Sequence, residues 1–335
     1  VSRGGEELTE KFGIRTLEWS GKTGLLVNGK ETLLRGGCIH HDNGVLGACS
    51  FADAEERRVR ILKSQGFNAL RMAHNPASRS LLDACDRIGM YVMDEAFDGW
   101  YIPKEYHDYS RNFLSDYKSV LAAMVENDYN HPSVLIWSLG NESYTGDVFR
   151  AMYKRVHDID PNRPVHYEGV THNRDYDDVT DIETRMYAHA DAIEEYLKND
   201  PQKPYISCEY MHAMGNSCGN MDEYTALERY PKYQGGFIWD FIDQAIYATQ
   251  PDGTTSLRYG GDFGDRPSDY EFSGNGLVFA DRKPTPKAQE VKQLYSNVHI
   301  DVAEDSVTIK NDNLFTSTGE YTFVLRVLAD GEPVW

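Results

Sequence analysis

The chain has 335 residues, of which 40% are hydrophobic and 26% charged, and its 34 basic and 53 acidic side chains give a net charge of −19. This length fits one large barrel with a further fragment. No basic block stands out, which argues against nucleic-acid or membrane-surface partners, because these bind clustered lysine and arginine. No apolar run approaches the roughly 20 residues that span a bilayer.

The cysteines and the N-terminus say little about function. The five cysteines are odd in number and scattered, and none forms a C-x-x-C pair, so we expect reduced thiols rather than a zinc site or a disulfide framework. The first residues, VSRGGEELTE, show no signal peptide and no initial Met, so we expect a segment of a longer chain. An export signal would then lie upstream, which leaves both a cytoplasmic and an exported location open.

Apolar strand-like runs alternate with amphipathic helical stretches, a pattern typical of βα units. Eight runs predict strands. In chain order they are TLLRGGCIH, NALRMAH, MYVMDEAF, SVLIWSLGNE, PVHYEG, DIETRMYAH, PYISCEY and GGFIWDF. Because each run is continuously apolar rather than alternating, the eight together predict an α/β fold, the closed parallel (β/α)8 or TIM barrel.

The regions around these runs follow other patterns. Residues 1–32 contain IRTLEW and GLLVNGK, which predict a hairpin leading in from a preceding domain. The catalytic barrel is expected over residues 33–297. Residues 298–335 alternate as β-strands do, and they predict the start of an immunoglobulin-like β-sandwich. A Gly-rich loop runs from Tyr247 to Asp281, and loops of that length in compact domains are usually functional.

Polar side chains follow the predicted strands, at the rim that carries the chemistry of such barrels. They are His40-His41-Asp42, His74-Asn75, Asp94-Glu95, Asn141-Glu142, Tyr187, Glu209-Tyr210 with His212, and Trp239-Asp240. Solvation, an ion pair or core packing explains any one of them alone. Metal binding by the first group is disfavoured, because adjacent strand residues point to opposite faces. As a set, these side chains predict a binding cleft.

Glu142 and Glu209 follow the fourth and seventh strands, and two carboxyls facing each other across a barrel mouth suit retaining glycoside hydrolysis. One carboxyl must donate a proton to the leaving oxygen, while the other attacks the anomeric carbon from about 5–5.5 Å away. Asn141 is placed to bond a sugar 2-hydroxyl, and Tyr187 is placed to hold Glu209. Trp239 offers an apolar face for a sugar ring.

At these residues the sequence resembles glycoside hydrolase family 2, and within it the β-galactosidases. The stretches that carry the resemblance include LLRGGCIHHDNGVLGA, FNALRMAHNP, MYVMDEAFDGW, NHPSVLIWSLGNES, CEYMHAMGNS and YPKYQGGFIWDFIDQ. They run from about residue 33 to about residue 290, the whole of the expected barrel. The resemblance implies a retaining β-galactosidase in which Glu209 is the nucleophile and Glu142 the general acid/base.

The same resemblance implies the residues around the sugar. These are His40, His74, Asn141, Tyr187, His212, Trp239 and Asn275. It further implies that Phe272 and Asn275 help to form a monovalent-cation site, for Na+, beside the substrate. The sequence itself requires no cofactor.

The chain departs from the family at a metal site and at both ends. The best-known β-galactosidases bind magnesium through an acidic residue and a His after the third strand, but these positions are Gly99 and Tyr101 here, with Asp98 nearby. We therefore expect no magnesium site of that type. We expect this segment to lack the domains usual ahead of the barrel, and with them a carboxylate of the cation site. We accordingly expect a catalytic-domain fragment with weak or no activity.

Other readings stay open at this point. β-Glucuronidases and β-mannosidases share the two glutamates. The Asn-x-Lys signal of glucuronidases is not visible here, and by resemblance the segments GGDFGD and NGLVFADR favour a galactosidase over a mannosidase. A sugar-binding module without catalysis would typically lose one of the two glutamates, and both are present. The expected partner is a carbohydrate with a β-linked terminal sugar, and homo-oligomer formation is left open.

Overall fold

The structure is a computed structural model. It describes residues 2–3, 6–7, 9–100 and 109–334. The chain forms two compact units, Val1–Tyr295 and Ser296–Trp335. The domain boundaries expected from the sequence, after residues 32 and 297, stay predictions. None of the helices in the described ranges is both long enough and apolar enough to cross a bilayer.

Short antiparallel strands open the larger unit. They are β1 (Ser2–Arg3), β2 (Glu6–Glu7), β3 (Leu17–Ser20), β4 (Gly24–Val27) and β5 (Lys30–Glu31). The first two strands pair with each other, and the other three form a separate sheet in the order β3-β4-β5. The predicted lead-in hairpin corresponds to the second sheet, and the buried side chains of β4 join the apolar cluster of the barrel strands.

A curled parallel sheet forms the centre of this unit. Its strands are β6 (Leu34–Ile39), β7 (Ala69–Met72), β8 (Tyr91–Glu95), β9 (Val134–Ser138), β10 (Val165–His166), β11 (Tyr205–Tyr210) and β12 (Tyr233–Ile238). They lie in the order β10-β9-β8-β7-β6-β12-β11, and every pairing is parallel. The strands are buried along almost their whole length, which explains their continuously apolar sequences. The predicted TIM-barrel fold is therefore confirmed.

The sixth predicted strand, DIETRMYAH, is reduced to one parallel bridge between Glu183 and Tyr205. The backbone N–H of Asp181 still donates to the carbonyl of Val165 at 2.8 Å, and that of Ile206 donates to Glu183 at 2.9 Å. The segment thus connects β10 on one side to β11 on the other. It continues the barrel wall without forming a regular strand.

Helices follow the strands and cover the sheet. They are α1 (Ala52–Ser64), α2 (Arg79–Ile88), α3 (Phe113–Asp128), α4 (Asp147–Ile159), α5 (Ala190–Lys198), α6 (Met221–Thr225) and α7 (Pro286–Leu294). Short 3-10 helices lie at Gly44–Leu46, Tyr109–Asn112, Glu168–His172, Arg174–Val179, Ala226–Arg229, Tyr270–Ser273 and Thr318–Glu320. Helix α2 shows why such boundaries are readable: the hydroxyl of Ser78 accepts from the N–H of Leu81, and Gly89 at φ +84° ends the helix.

The Gly-rich segment that the sequence predicts as a loop is partly ordered as a hairpin. Strands β13 (Ile246–Thr249) and β14 (Thr255–Arg258) pair in antiparallel fashion. In the smaller unit, β15 (Val298–Val302) pairs with β16 (Val307–Asn311), also antiparallel. A second short pair there consists of β17 (Leu328–Ala329) and β18 (Glu332–Pro333). Antiparallel pairs are what the start of a β-sandwich contains.

The inner face of the sheet changes character along each strand. Ala69 lies two residues before Arg71 on β7, and Met93 lies two residues before Glu95 on β8, so each pair shares a face. Ala69 and Met93 belong to one buried apolar cluster, whereas Arg71 and Glu95 are bonded to each other. The barrel interior therefore runs from apolar packing to charged groups at the carboxyl ends of its strands.

Candidate active site

A cleft of about 1010 Å³ contains all ten residues that the sequence and its family resemblance predicted for the site. They are His40, His74, Asn141, Glu142, Tyr187, Glu209, His212, Trp239, Phe272 and Asn275. The first and last of them are separated by most of the barrel sequence. The fold thus brings these residues together at one rim, where the carboxyl ends of parallel strands meet.

Glu209 lies near the end of β11, and only 3% of it is exposed. Its Oε1 accepts a hydrogen bond from Arg71 Nη1 at 2.6 Å, and its Oε2 accepts one from the Tyr187 hydroxyl at 2.9 Å. Burial, and then the charge of Glu209, raise the pKa of Tyr187 well above its ordinary value, so the phenol keeps its proton and donates. Both oxygens of Glu209 are therefore fixed in place.

Arg71 is the hub of the buried polar network. It is fully buried, and its Nε and Nη2 donate to the two oxygens of Glu95 at 2.9 and 3.1 Å. Nη2 also donates to Asn141 Oδ1 at 2.9 Å. Burial alone would lower the pKa of Arg71, but the charges of Glu95 and Glu209 raise it above its ordinary value. One permanent cation thus serves two carboxylates and an amide.

Glu95 is the second carboxylate of this network. It accepts from His74 Nδ1 and from the Ser138 hydroxyl, each at 2.7 Å. Burial works to raise the pKa of Glu95, but Arg71 and the His74 hydrogen bond outweigh it, and the pKa is lowered overall. The other ring nitrogen of His74 lies 3.8 Å from Glu209 Oε1. His74 therefore spans the two carboxylates.

Aromatic side chains form one wall of the cleft. The ring of Trp239 stacks on His74 with centroids 5.3 Å apart and an angle of 8°, and His40 meets it edge-on at 5.0 Å. Burial, and then His74, lower the pKa of His40 to about 4, so His40 is neutral near pH 7. Burial also raises the pKa of the neighbouring Asp240 well above its usual range. Burial thus disfavours charge on both His40 and Asp240.

Glu142 differs from the prediction in its setting. Strand β9 ends at Ser138, so Glu142 lies in the following loop and is exposed, rather than ending a buried strand. The backbone leaves the strand at Gly140, where φ is +151° and a Cβ atom would lie 2.4 Å from Trp100 Nε1. The carboxyl of Glu142 is therefore accessible from the cleft, whereas that of Glu209 is enclosed.

Two site residues escaped the sequence prediction, Arg71 and Glu168. Glu168 follows β10 and is buried, and its Oε1 accepts from the backbone N–H of Glu142 at 2.5 Å. Burial, partly opposed by Arg71, raises the pKa of Glu168 to about 7. A signal for both was present, because NALRMAH places Arg71 inside an apolar run and PVHYEG places Glu168 directly after one. A charge in such a position must find a partner.

The predicted cation residues also line the cleft. Asn275 is buried, and its Oδ1 has no hydrogen-bond partner in the described part of the chain. The Phe272 ring meets His212 edge-on at 6.4 Å, and burial lowers the pKa of His212. An unpaired amide oxygen suits a hard cation. Asn275 therefore fits the predicted role.

The magnesium positions give a different picture. Tyr101 lies outside the described residues. Asp98 accepts from Asn141 Nδ2 at 3.0 Å, so this carboxylate takes part in the hydrogen-bond network of the cleft. Over residues 9–100 and 109–334, metal-ligating side chains come together in a group of three at Asp83, Asp86 and His131, none of which lines the cleft.

The sequence matches the family described as Glycosyl hydrolases family 2, TIM barrel domain, over residues 21–300. It is 56% identical to the β-galactosidase BgaC of Bifidobacterium adolescentis, over 98% of this chain and 33% of that protein. It is 46% identical to a β-galactosidase of Streptococcus thermophilus, over 98% of this chain and 35% of that protein. The chain thus spans about a third of the length of these curated relatives.

Solved structures agree with this match. A glycosyl hydrolase family 2 member from Bacteroides cellulosilyticus is 33% identical with a TM-score of 0.68, over 86% of this chain and 36% of that one. A β-glucuronidase from Ruminococcus gnavus, 21% identical with a TM-score of 0.65 over 86% of this chain and 53% of that one, shares the fold. Because the family match covers most of the sequence, the chain belongs to glycoside hydrolase family 2, through its TIM-barrel domain.

Proposed function

We propose that this chain carries the catalytic site of a retaining β-galactosidase, with Glu209 as nucleophile and Glu142 as general acid/base. The observation that carries the proposal is the contrast between these two carboxyls in one cleft: Glu209 is buried and bonded on both oxygens, while Glu142 is exposed. Double displacement needs two carboxyls in such different surroundings. The names of the relatives from Bifidobacterium and Streptococcus support galactose as the sugar.

The proposed reaction has two steps. In the first, Glu209 attacks the anomeric carbon while Glu142 gives its proton to the glycosidic oxygen, and the aglycone leaves as an alcohol. In the second, Glu142 takes a proton from water, whose oxygen attacks the anomeric carbon and releases Glu209. Each step inverts the anomeric centre, so the product keeps the β configuration.

The surrounding residues have separate roles in this proposal. Arg71 and Tyr187 hold the Glu209 oxygens so that the attack needs little reorganisation. Neutral His40 and Trp239 present a surface on which an uncharged sugar can lie. Asn141 uses one amide hydrogen for Asp98, and its second amide hydrogen is proposed to reach a sugar hydroxyl.

Phe272 and Asn275 are proposed to hold a monovalent cation such as Na+. The unpaired Oδ1 of Asn275 supports this assignment. When bound there, the cation would supply a positive charge against which a sugar hydroxyl can be oriented. The two catalytic steps are assigned entirely to Glu142 and Glu209.

The first test uses the full chain and a 2-deoxy-2-fluoro-β-galactoside with a dinitrophenyl leaving group. Fluorine slows hydrolysis of the glycosyl-enzyme, so intact mass should show one added sugar, and peptide mapping should place it on Glu209. An adduct on another residue would overturn the nucleophile assignment. Labelling only by the gluco or manno analogue would indicate another activity of the family, and sugar binding without any adduct would indicate a binding module.

The second test concerns Glu142. Replacing it in Glu142→Ala should lower kcat/KM for alkyl β-galactosides by roughly 10²- to 10⁴-fold, the usual contribution of general acid catalysis. For dinitrophenyl galactosides, kcat/KM should fall far less in the first step, because dinitrophenolate leaves without a proton. Equal losses for both substrates would contradict the acid assignment.

A further inference from the structure

The loop that carries Glu142 has a backbone that its own sequence does not favour. We call residues Gly140–Ser143 the donor loop. Within it Glu142 adopts φ +40°, in the left-handed region that residues with a side chain rarely occupy. Such a conformation persists only where neighbouring groups determine it. The contacts around the donor loop should therefore show what holds the proposed proton donor.

Two consecutive residues after β10 bond to the donor loop. Glu168 Oε1 accepts from the N–H of Glu142 at 2.5 Å, and the Tyr167 hydroxyl donates to the carbonyl of Ser143 at 2.5 Å. These two bonds lie on either side of the Glu142 side chain. Together they fix the Asn141–Glu142 peptide and the Ser143–Tyr144 peptide, on the two sides of the residue that must deliver the proton.

The supporting residues are themselves firmly placed. Tyr167 is fully buried, and its ring stacks on Phe149 at a centroid distance of 4.2 Å. Gly169 follows Glu168, and a Cβ atom there would lie 2.3 Å from the Ser143 carbonyl oxygen. The chain after β10 therefore approaches the donor loop as closely as a glycine permits. The contact is a rigid one between two barrel loops.

A neutral acceptor would satisfy the N–H of Glu142 at lower cost than a buried carboxyl does. Glu168 is 2% exposed, and its burial raises its pKa to about 7. The nearby charges of Glu142 and Glu209 act in the same direction as burial, while Arg71 opposes them. A carboxyl with these properties is a poor choice for stability alone and is typical of a site that serves catalysis.

We propose that Glu168, with Tyr167, is a positioning residue that holds the donor loop so that Glu142 reaches the glycosidic oxygen. This inference rests on the function proposed above, and it adds two residues that act on the substrate only through Glu142. It assigns them to the step in which the leaving group is protonated. The attack by Glu209 does not depend on them.

The test compares leaving groups rather than overall rates. In Glu168→Leu the acceptor is lost, and kcat/KM for an alkyl β-galactoside should fall by about 30-fold, a part of what general acid catalysis supplies. The value for a dinitrophenyl β-galactoside should change by less than about 3-fold, because that leaving group needs no proton. Glu168→Gln keeps an acceptor oxygen, so its ratio of kcat/KM for the alkyl and dinitrophenyl β-galactosides should stay close to that of wild type.

Two further variants separate positioning from general damage to the fold. Tyr167→Phe keeps the ring on Phe149 and removes only the bond to Ser143. Its kcat/KM for the alkyl β-galactoside should again fall more than that for the dinitrophenyl β-galactoside, but by less than in Glu168→Leu. Glu183→Gln alters an equally buried glutamate that pairs with Arg174 and Arg185 outside the cleft. This control should lower thermal stability and leave the ratio of kcat/KM for the two substrates unchanged.

The outcomes distinguish this inference from the function on which it rests. If neither this chain nor the longer protein expected to contain it forms a fluoro-sugar adduct on Glu209, the proposed function fails and the inference falls with it. If the adduct forms, but Glu168→Leu and Tyr167→Phe lower kcat/KM equally for both substrates, only the positioning role is overturned. Selective loss in both variants, with normal labelling of Glu209, would support it.

Discussion

The two ends of the barrel both bury charged side chains, but they balance those charges in different ways. At the amino-terminal ends of the strands, Asp160 is fully buried and accepts from Arg163 at 2.5 Å and from Trp137 Nε1 at 2.9 Å. Arg163 spends its other donors on three backbone carbonyls, and it stacks over the Trp137 ring at 5.1 Å. This charge pair is complete within its own neighbourhood.

A second pair at the same end follows the same rule. Arg35 forms a two-pronged bond to Glu228 at 3.1 and 2.6 Å, and its remaining nitrogen donates to the carbonyl of Tyr295 at 3.0 Å. Arg163 and Arg35 each have their own carboxylate, and their other donors go to backbone carbonyls. Removing one partner of such a pair is strongly destabilising, because the other partner is left buried without a counter-charge.

The carboxyl-terminal end is arranged otherwise. The single guanidinium of Arg71 is shared between Glu95 and Glu209. Glu168 and Asp240 are buried there as well, with pKa values that burial raises, and Asp240 Oδ1 lacks a hydrogen-bond partner within the described residues. The comparison teaches that a completed charge pair indicates structure, whereas a shared and incomplete one indicates chemistry.

The largest effect is expected at Glu209. Glu209→Gln should lower kcat/KM for both alkyl and dinitrophenyl galactosides by roughly 10⁴- to 10⁶-fold, as the loss of a nucleophile does. The free energy of unfolding should fall by only about 1–3 kcal/mol, because one hydrogen bond of the network is lost. Steady-state kinetics and calorimetry on the same preparation measure both quantities. Retained turnover would remove Glu209 from the mechanism.

The sharpest test of the comparison is a pair of variants, Arg71→Met and Arg163→Met. Each leaves buried carboxylates without a cation, so each should lower the free energy of unfolding by about 3–5 kcal/mol. Activity per folded molecule should differ, falling by roughly 100-fold or more for Arg71→Met, because Glu209 loses its orientation. Arg163→Met should stay within about 2-fold of wild type, since no substrate contact changes.

A milder version guards against failure to fold. Arg71→Lys and Arg163→Lys keep the charge and remove the planar fork that makes several bonds at once. Arg71→Lys should again lose more activity than Arg163→Lys, and both should lose less stability than the Met variants. If the two sites lost activity equally in both versions, the distinction between the two ends of the barrel would be wrong.

Tyr187→Phe should have an intermediate effect. The variant removes the hydroxyl that donates to Glu209 Oε2 and leaves the ring in place. A hydrogen bond to a charged group contributes about 1.5–3 kcal/mol, so kcat should fall by roughly 10- to 150-fold. The free energy of unfolding should fall by less than this amount, because 40% of Tyr187 is exposed and water can replace the lost hydroxyl. An unchanged kcat would show that Arg71 alone holds the carboxylate.

The sequence was sufficient to predict the barrel and the residues of the cleft, for identifiable reasons. Continuously apolar runs revealed the strands, and polar residues directly after them revealed the rim. The prediction extended the fourth strand to Glu142, however, because Leu139 and Gly140 continue an apolar pattern. The turn at Gly140 depends on its close approach to Trp100, which no local pattern contains.

The network behind the cleft was the part that sequence reasoning missed. Arg71 lies in the apolar run NALRMAH, which predicts a strand, and its charge requires a partner there. Its partners Glu95 and Glu209 are 24 and 138 positions away. The prediction of a regular sixth strand was wrong for a similar reason, because the pairing of that strand depends on the neighbouring β10, which has only two residues.

The smallest effect is expected at the amino-terminal end, in the Asp86–His131 pair, where Asp86 Oδ2 accepts from His131 Nδ1 at 2.7 Å. Burial works to raise the pKa of Asp86, but His131 and Ser133 outweigh it and lower the pKa. The hydrogen bond to Asp86, partly opposed by burial, raises the pKa of His131.

The sign of the pH dependence follows from these directions. The contribution of Asp86 is present above its unfolded pKa of about 3.9 and is lost as the pH falls through its lowered folded value. That of His131 is present below its unfolded pKa of about 6.5 and is lost as the pH rises through its raised folded value. The pair therefore stabilises the fold most between about pH 4 and pH 6.5.

Asp86→Asn isolates this contribution, because other titrating groups cancel when the variant is subtracted from wild type. The difference in the free energy of unfolding should be about 1 kcal/mol larger at pH 5.5 than at pH 8.5, a modest value because solvent screens the half-buried carboxylate. Urea unfolding at the two pH values measures it. The ratio of activities toward alkyl and dinitrophenyl galactosides should not change, since Asp86 and His131 lie outside the cleft. A change in that ratio would mean that the completed pairs also influence the chemistry, and the division between the two ends of the barrel would not hold.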